Sequence, residues 1–141
     1  MAGNASPIFA KVGQVGIGTL SAANTGSDLS TNAALIFTGD ATNGSIVNEV
    51  RAKYTPGTST VATVFRVWIN NGSSPGTTTN NALVSEITIA AITTSQVAAT
   101  VDYVVPMPRG GLVLPPGYRL YATIGTYSTG GFQVIAIGGD Y

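Results

Sequence analysis

The side chains that most often carry out chemistry in proteins are scarce in this chain. Its 141 residues include no histidine and no cysteine. Histidine is the side chain whose ordinary pKa lies closest to neutral pH, and Ser-His and Cys-His catalytic arrangements depend on it. Zinc sites built from cysteine and histidine are excluded as well. Any catalysis would therefore have to use carboxylates or one of two lysines.

Six carboxylates remain as candidates for acid–base chemistry or metal binding: Asp28, Asp40, Glu49, Glu86, Asp102 and Asp140. A glycosidase needs two of them flanking one bond. Glu49 and Glu86 each lie in the middle of a predicted strand, and we interpret both as solvated, outward-facing residues. Residues 40–44 (DATNG) loosely resemble a calcium loop but lack its later acidic ligands, which favours a plain turn. The sequence therefore predicts no enzyme activity, no metal and no cofactor.

The charge pattern narrows the choice of partners. Six basic and six acidic residues give a formal net charge of zero, and the basic ones are scattered, so we expect no nucleic-acid partner. No apolar run approaches the roughly 20 residues of a membrane span, and the N-terminus does not resemble a signal peptide, so we expect no membrane partner either. A near-neutral surface repels other copies only weakly, which favours self-association.

Short β-rich segments separated by turn residues predict an all-β protein. We expect a single eight-stranded antiparallel jelly-roll sandwich, with an immunoglobulin-like β-sandwich as the alternative. Residues 1–10 would form an N-terminal arm, and residues 11–141 one β-sandwich domain. The eight predicted strands span residues 8–20, 33–38, 46–54, 61–69, 83–89, 98–105, 118–124 and 132–137.

Alternation within the segments predicts which side chains are buried. In residues 46–54, Val50, Ala52 and Tyr54 alternate with charged residues, which indicates one buried and one wet face. Residues 61–69 are apolar on both faces, as in a central strand or one covered by a neighbouring subunit. Residues 89–100 also allow a short helix. Residues 13–18 (GQVGIG) lack the dinucleotide-binding spacing and instead predict a bent or bulged strand that permits close backbone approach.

Two segments and several aromatic residues are candidates for binding. The arm carries two large apolar residues and could reach a neighbour, and the polar loop 70–81 is long enough to be functional or mobile. Aromatic residues are spread singly, which suits core and interface positions. The candidate partner contacts are Ile8, Phe9, Lys11, Trp68, Tyr121 and Tyr127.

Three blocks of the sequence resemble a known class of proteins. Residues 112–126 (LVLPPGYRLYATIGT), 131–141 (GFQVIAIGGDY) and 83–89 (LVSEITI) are similar to blocks in small virion proteins of tailed phages, and the resemblance covers roughly residues 60–141. It implies a capsid decoration, or cement, protein with a jelly-roll fold.

Such a protein would form a homo-oligomer, expected to be a trimer, and bind the major capsid protein on the capsid surface of the virion after assembly in the bacterial host cytoplasm. The alternative is a tail, fibre or baseplate module that binds host-surface carbohydrate, with Tyr127 as the best candidate for glycan contact.

Overall fold

The computed structural model describes residues 9–56 and 61–141, and these form nine β-strands and one short 3-10 turn. The strands are β1 (Val12–Leu20), β2 (Ala34–Thr38), β3 (Ser45–Tyr54), β4 (Thr63–Asn70), β5 (Asn81–Ile89), β6 (Tyr103–Val105), β7 (Leu112–Leu114), β8 (Arg119–Ile124) and β9 (Phe132–Asp140). The 3-10 turn spans Thr78–Asn80, immediately before β5.

The strands form two antiparallel sheets packed as a sandwich. Sheet A has the order β1-β9-β3-β6, and β7 also pairs with β3. β6 pairs with residues 50–52 of β3 and β7 with residues 45–47, so the two short strands share one edge of β3. Sheet B has the order β2-β8-β4-β5. The prediction of an all-β sandwich is confirmed, with nine strands among the described residues instead of eight.

Two predicted elements differ from the structure near residue 100. The segment predicted as residues 98–105 is a strand only from Tyr103 to Val105, and residues 90–102 contain no helix. β7 was not predicted, because its three residues lie between Gly110-Gly111 and Pro115-Pro116.

A single hydrophobic core lies between the two sheets. The alternation predicted for β3 is confirmed, since Val50, Ala52 and Tyr54 are almost fully buried. Tyr54 lies opposite Phe132 in the β3–β9 pair, and their ring centroids are 4.1 Å apart. Phe65 of β4 lies on the other side of Phe132, at 6.4 Å. This aromatic contact therefore joins the two sheets where β3 ends and β9 begins.

The central strands of sheet B are covered on their outer face as well. β4 lies between β8 and β5, as its apolar character on both faces predicts. On the outer face of β8, Thr123 is fully buried, and it accepts a 2.9 Å hydrogen bond from Trp68 Nε1. Residues 21–33 are attached to sheet B at two points. The Asn24 N–H donates to the Ile124 carbonyl at the end of β8, and the Leu29 N–H donates to the Pro75 carbonyl in the loop before β5.

The glycine-rich strand β1 brings the edges of the two sheets together. A Cβ atom on Gly16 would lie 1.6 Å from the carbonyl oxygen of Ile36 in β2. Close backbone approach at this segment, as predicted, is therefore confirmed. The bulge that was also predicted for this segment is absent, since β1 pairs with β9 in unbroken register from Val12 to Leu20.

Side chains rather than regular structure organise the long loop of residues 70–81. The Asn81 side-chain amide donates to the carbonyls of Ser27 and Pro75, both at 2.7 Å, and accepts through its oxygen from the Asn70 amide. Asn71 and Asn80 pair through their backbones and their side chains. The loop is thus joined to residues 21–33 by specific hydrogen bonds.

Asp40 organises the turn between β2 and β3, and this turn carries a pH-dependent part of the stability. Its Oδ1 accepts from the backbone N–H groups of Asn43 and Thr42, at 2.7 and 2.9 Å. These bonds hold the pKa of Asp40 below its ordinary value of 3.8. The Ser30 hydroxyl and N–H lower the pKa of Asp28 in the same way. Residues 40–44 are therefore a turn, as the sequence analysis favours.

We expect stability to fall as the pH drops below about 4, where unfolded aspartates take up protons. Because both folded pKa values are depressed, the stabilisation is present above the unfolded pKa and is lost as the pH falls through the folded value. Urea unfolding of the natural protein and of Asp40→Asn between pH 6 and 3 measures this. The variant should lose less stability over that range, and identical slopes for the two proteins would contradict the assignment.

Candidate interaction surface

The acidic side chains are distributed so that none of them form a reactive pair. Glu49 lies on sheet A and forms an ion pair with Arg51, which is also 3.0 Å from Asp102. Glu86 lies on sheet B and forms an ion pair with Arg66 at 3.1 Å. Glu49 and Glu86 are therefore on different sheets and cannot flank one bond. Within residues 9–56 and 61–141, no group of three acidic side chains is placed to hold a metal ion.

The remaining aspartates serve local structure. Asp28 and Asp40 cap turns, and Asp140 at the end of β9 accepts hydrogen bonds from the side chains of Gln14 and Ser45. Arg51 is held in its charged form, because Glu49 first and Asp102 second raise its pKa. The acidic side chains are thus all engaged in ion pairs, turn contacts or hydrogen bonds within the fold.

The most distinctive surface of the sandwich is an apolar area on the outer face of sheet A. Val15 lies opposite Ile137, and Ile17 lies opposite Ile135, in the β1–β9 pair. The four side chains point away from the core, which Val134 and Ala136 of β9 fill from the other face. We call Val15, Ile17, Ile135 and Ile137 the β1–β9 face.

Exposure of the β1–β9 face is high for such large apolar side chains. Ile17 is 75% exposed and Val15 64%, while Ile135 and Ile137 are close to 40%. Scattered single apolar residues are normal on a protein surface, but a contiguous group of them marks an interaction site. Cross-strand neighbours of this kind touch each other, so the face forms one group.

The β1–β9 face ends at a charged strip on the next strand. In the β3–β9 pair, Glu49 lies opposite Ile137 and Arg51 lies opposite Ile135. Beyond β3, the exposed residues Val104 and Val113 lie on the two short edge strands. The outer face of sheet A therefore has an apolar half and a half that carries charges of both signs, of which Glu49 and Arg51 are paired. Such a surface is suited to packing against protein.

Two open clefts lie on the surface of the sandwich. One, of about 420 Å³, lies where β6 and β7 separate and is lined by Asn48, Glu49, Met107 and the two flanking prolines. The other, of about 360 Å³, lies on sheet B and is lined by Thr25, Thr63, Arg66, Thr88 and Thr126, among others. Neither contains a nucleophile beside a base. The second has the hydroxyl and guanidinium groups that could hydrogen-bond a polar ligand.

The five predicted partner contacts that lie in the described residues do not form one site. Phe9 and Lys11 are exposed just before β1, and Tyr127 is exposed in the loop between β8 and β9. Trp68 and Tyr121 are cross-strand neighbours on sheet B, but Tyr121 is only 8% exposed and Trp68 is half-buried, so they offer a partner little surface. Ile8 and most of the predicted arm lie outside the described residues.

The β1–β9 face was missed at the sequence level, although a signal for it is present. In β1 the larger residues Val15 and Ile17 alternate with glycines, and the small residues face inward. In β9 the residues are apolar on both faces. Two adjacent strands with apolar residues in excess of what one core needs would have indicated an exposed apolar face.

No family of proteins matches the chain, and comparisons with curated sequences and with solved structures likewise find no match. No helix in the described part of the chain is long and apolar enough to cross a membrane. The resemblance to phage virion proteins therefore stays a prediction.

Proposed function

We propose that this protein is a structural, non-enzymatic virion subunit that decorates the outer surface of an icosahedral phage capsid. The observation that carries the proposal is the β1–β9 face, where four large aliphatic side chains are exposed together on a rigid sheet. A surface of this kind is stabilised when another protein covers it. Because none of these four side chains is charged, covering the face would strand no isolated charge, which would be costly.

The strand order supports the finer proposal that the sandwich is a jelly roll. If β6 and β7 count as one interrupted strand, the described residues form eight strands in two sheets of four. Their orders, β1-β9-β3-β6/β7 and β2-β8-β4-β5, interleave early and late strands in both sheets. This is the pattern expected of two Greek keys, and the jelly roll built from them occurs in capsid and lectin domains.

As a decoration protein, each copy would bridge neighbouring copies of the major capsid protein. Single contacts of modest strength would then add through multivalency, because a subunit held at one point binds the next at high effective concentration. The resemblance implies three copies per assembly. Binding of this kind needs no cofactor, no nucleic acid and no membrane.

A comparison of virions with and without the protein tests the proposal. Particles that lack it should lose their DNA or capsid integrity at lower temperature or lower salt, and adding the purified protein should restore resistance. A cryo-EM map should contain its density on the outer capsid surface. Equal resistance of the two particles, together with density absent from the capsid, would contradict the decoration role.

The alternative is a tail, fibre or baseplate module that binds host carbohydrate, and one feature favours it. The sheet B cleft is lined by threonines and Arg66, and Thr126 at its border precedes Tyr127, which is 61% exposed. An exposed aromatic residue next in sequence to a cleft with hydroxyl and guanidinium groups is suited to the apolar and polar faces of a sugar.

Glycan-array binding by the isolated protein separates the two functions. A carbohydrate module should bind defined glycans and lose that binding in Tyr127→Ala, while Phe9→Ala, equally aromatic and exposed, should bind unchanged. Absence of binding on the array would favour the decoration role. Reproducible cleavage of a glycan, lost in Glu49→Gln or Glu86→Gln, would instead reveal an enzyme.

A further inference from the structure

The four outer edges of the two sheets differ in how well they are protected. An edge strand presents unpaired backbone N–H and C=O groups, and proteins commonly protect it with short length, bulges, prolines or charges. In sheet B, β2 has five residues and a register shift, and β5 carries Glu86 and pairs through a bulge. In sheet A, the β6/β7 edge is broken between two three-residue strands, with Pro106 and Pro108 in the gap.

β1 has none of these protections. It is nine residues long, its register with β9 is regular, and it contains no proline and no charged residue. It is the outermost strand of sheet A, and its other edge has no paired strand among the described residues. The side chains beside this open edge, Val15 and Ile17, are the most exposed members of the β1–β9 face.

We infer that the β1 edge is an interface for a second copy of this chain, and that two copies pair antiparallel through β1 about a twofold axis at Gly16. The inference rests on the fold alone and not on the proposed capsid role. In this register, Val15 lies opposite Ile17 of the second copy, and Ile17 opposite its Val15. Both residues stay on the outer face, because the pairing preserves the two-residue alternation of a strand.

The sequence of β1 is self-complementary in this arrangement. Val12 lies opposite Leu20 of the second copy, Gly13 opposite Thr19 and Gln14 opposite Gly18. No like charges meet, since Lys11 lies opposite Ser21. The two β1–β9 faces join into one apolar band, in which Ile135 and Ile17 of one copy continue into Val15 and Ile137 of the other. Such an isologous contact buries the same surface on both copies.

The pairing closes at two copies. The β6/β7 edge at the far side of sheet A is interrupted and cannot continue the sheet, so a fibre is not formed. The predicted product is therefore a dimer with one continuous sheet, in contrast to the trimer that the phage resemblance implies. The solution mass of the full chain distinguishes the two.

The first test is light scattering coupled to size exclusion over a range of protein concentrations. We expect twice the chain mass of 14.3 kDa. Ile17→Lys should raise the dimer dissociation constant at least about tenfold, because a lysine would face an apolar side chain in the pair. Val113→Lys is the matched control, since Val113 is 56% exposed on the same sheet face but lies at the β7 edge.

The control should leave the dimer intact, and circular dichroism should show that both variants remain folded. A natural protein that is strictly monomeric or trimeric would overturn the pairing. So would equal weakening of the dimer by the two lysine variants.

The second test reads out the register, and it exploits the absence of native cysteine. Val15→Cys and Ile17→Cys proteins, mixed and oxidised, should form a disulfide-linked heterodimer, because the two positions are directly opposite. Each variant alone should cross-link at least about fivefold less, since diagonal positions are roughly 7–8 Å apart and too distant for an unstrained disulfide. Preferential cross-linking within a single variant would overturn the register. A dimer with this register would stand even if virions did not need the protein.

Discussion

Replacing Gly16 with alanine should destabilise the protein by at least about 3 kcal/mol or prevent it from folding. The new Cβ would lie 1.6 Å from the Ile36 carbonyl oxygen and 2.7 Å from the carbonyl carbon. Both atoms belong to backbone, so no side-chain rotamer relieves the overlap. β1 is paired to β9 along its whole length, and β2 is paired to β8, so either strand can move only by breaking ladder hydrogen bonds.

Urea unfolding of Gly16→Ala and Gly13→Ala measures this effect with a control from the same strand. Nothing lies within 4 Å of a Cβ placed on Gly13, and both glycines are in regular pairing with β9. Gly13→Ala should therefore change the free energy of unfolding by less than about 1 kcal/mol, because only strand propensity differs. Similar unfolding midpoints for the two variants would show that the sheets are not in contact at Gly16.

The parts of the fold that could be predicted from the sequence are those with a local signal, as at Gly16. Period-2 alternation is a local signal, and it correctly identified the inward residues of β3. Close approach at residues 13–18 was predictable because glycine is the residue that permits it. The regular register between β1 and β9 could not be predicted, since a bent strand and a straight strand can have the same glycine spacing.

Features that depend on contacts between distant segments could not be predicted from the sequence. β8 is buried on both faces, and on its outer face Trp68 from β4 hydrogen-bonds to Thr123. β7 exists because three residues reach a free part of the β3 edge, and three residues carry too little pattern to be recognised. The β1–β9 face is a partial exception: the excess of apolar residues in β1 and β9 was a local signal, but the position of Ile135 and Ile137 beside β1 depends on the strand order.

The low charge of the chain is reflected in the composition of the β1–β9 face. The β1–β9 face carries no charge, and at its border Glu49 and Arg51 already neutralise each other. A partner that covers the β1–β9 face therefore buries no charged side chain of that face. Association through this face therefore depends mainly on shape and apolar contact rather than on salt.

The second large effect is expected in the core between the sheets, where Phe132→Ala should cost about 3–5 kcal/mol of unfolding free energy. Phe132 is fully buried, and its ring contacts Tyr54 at 4.1 Å and Phe65 at 6.4 Å between centroids. Tyr54 is itself fixed, since its hydroxyl lies 3.0 Å from the Val61 carbonyl oxygen. Neighbours held in this way cannot collapse into the space left by the ring, so a cavity remains.

The loss is large against a total stability of about 5–15 kcal/mol for a domain of this size. Thermal unfolding of Phe132→Ala should show a melting temperature lower by about 10–20 °C. Phe9→Ala removes the same ring from a position that is 74% exposed, and it should change stability by no more than about 0.5 kcal/mol. Phe132→Leu refills most of the volume and should fall between the two. If Phe132→Ala instead matched Phe9→Ala, the aromatic contact could not be what joins the two sheets, and the packing of the sandwich would have to be held by the aliphatic residues around it.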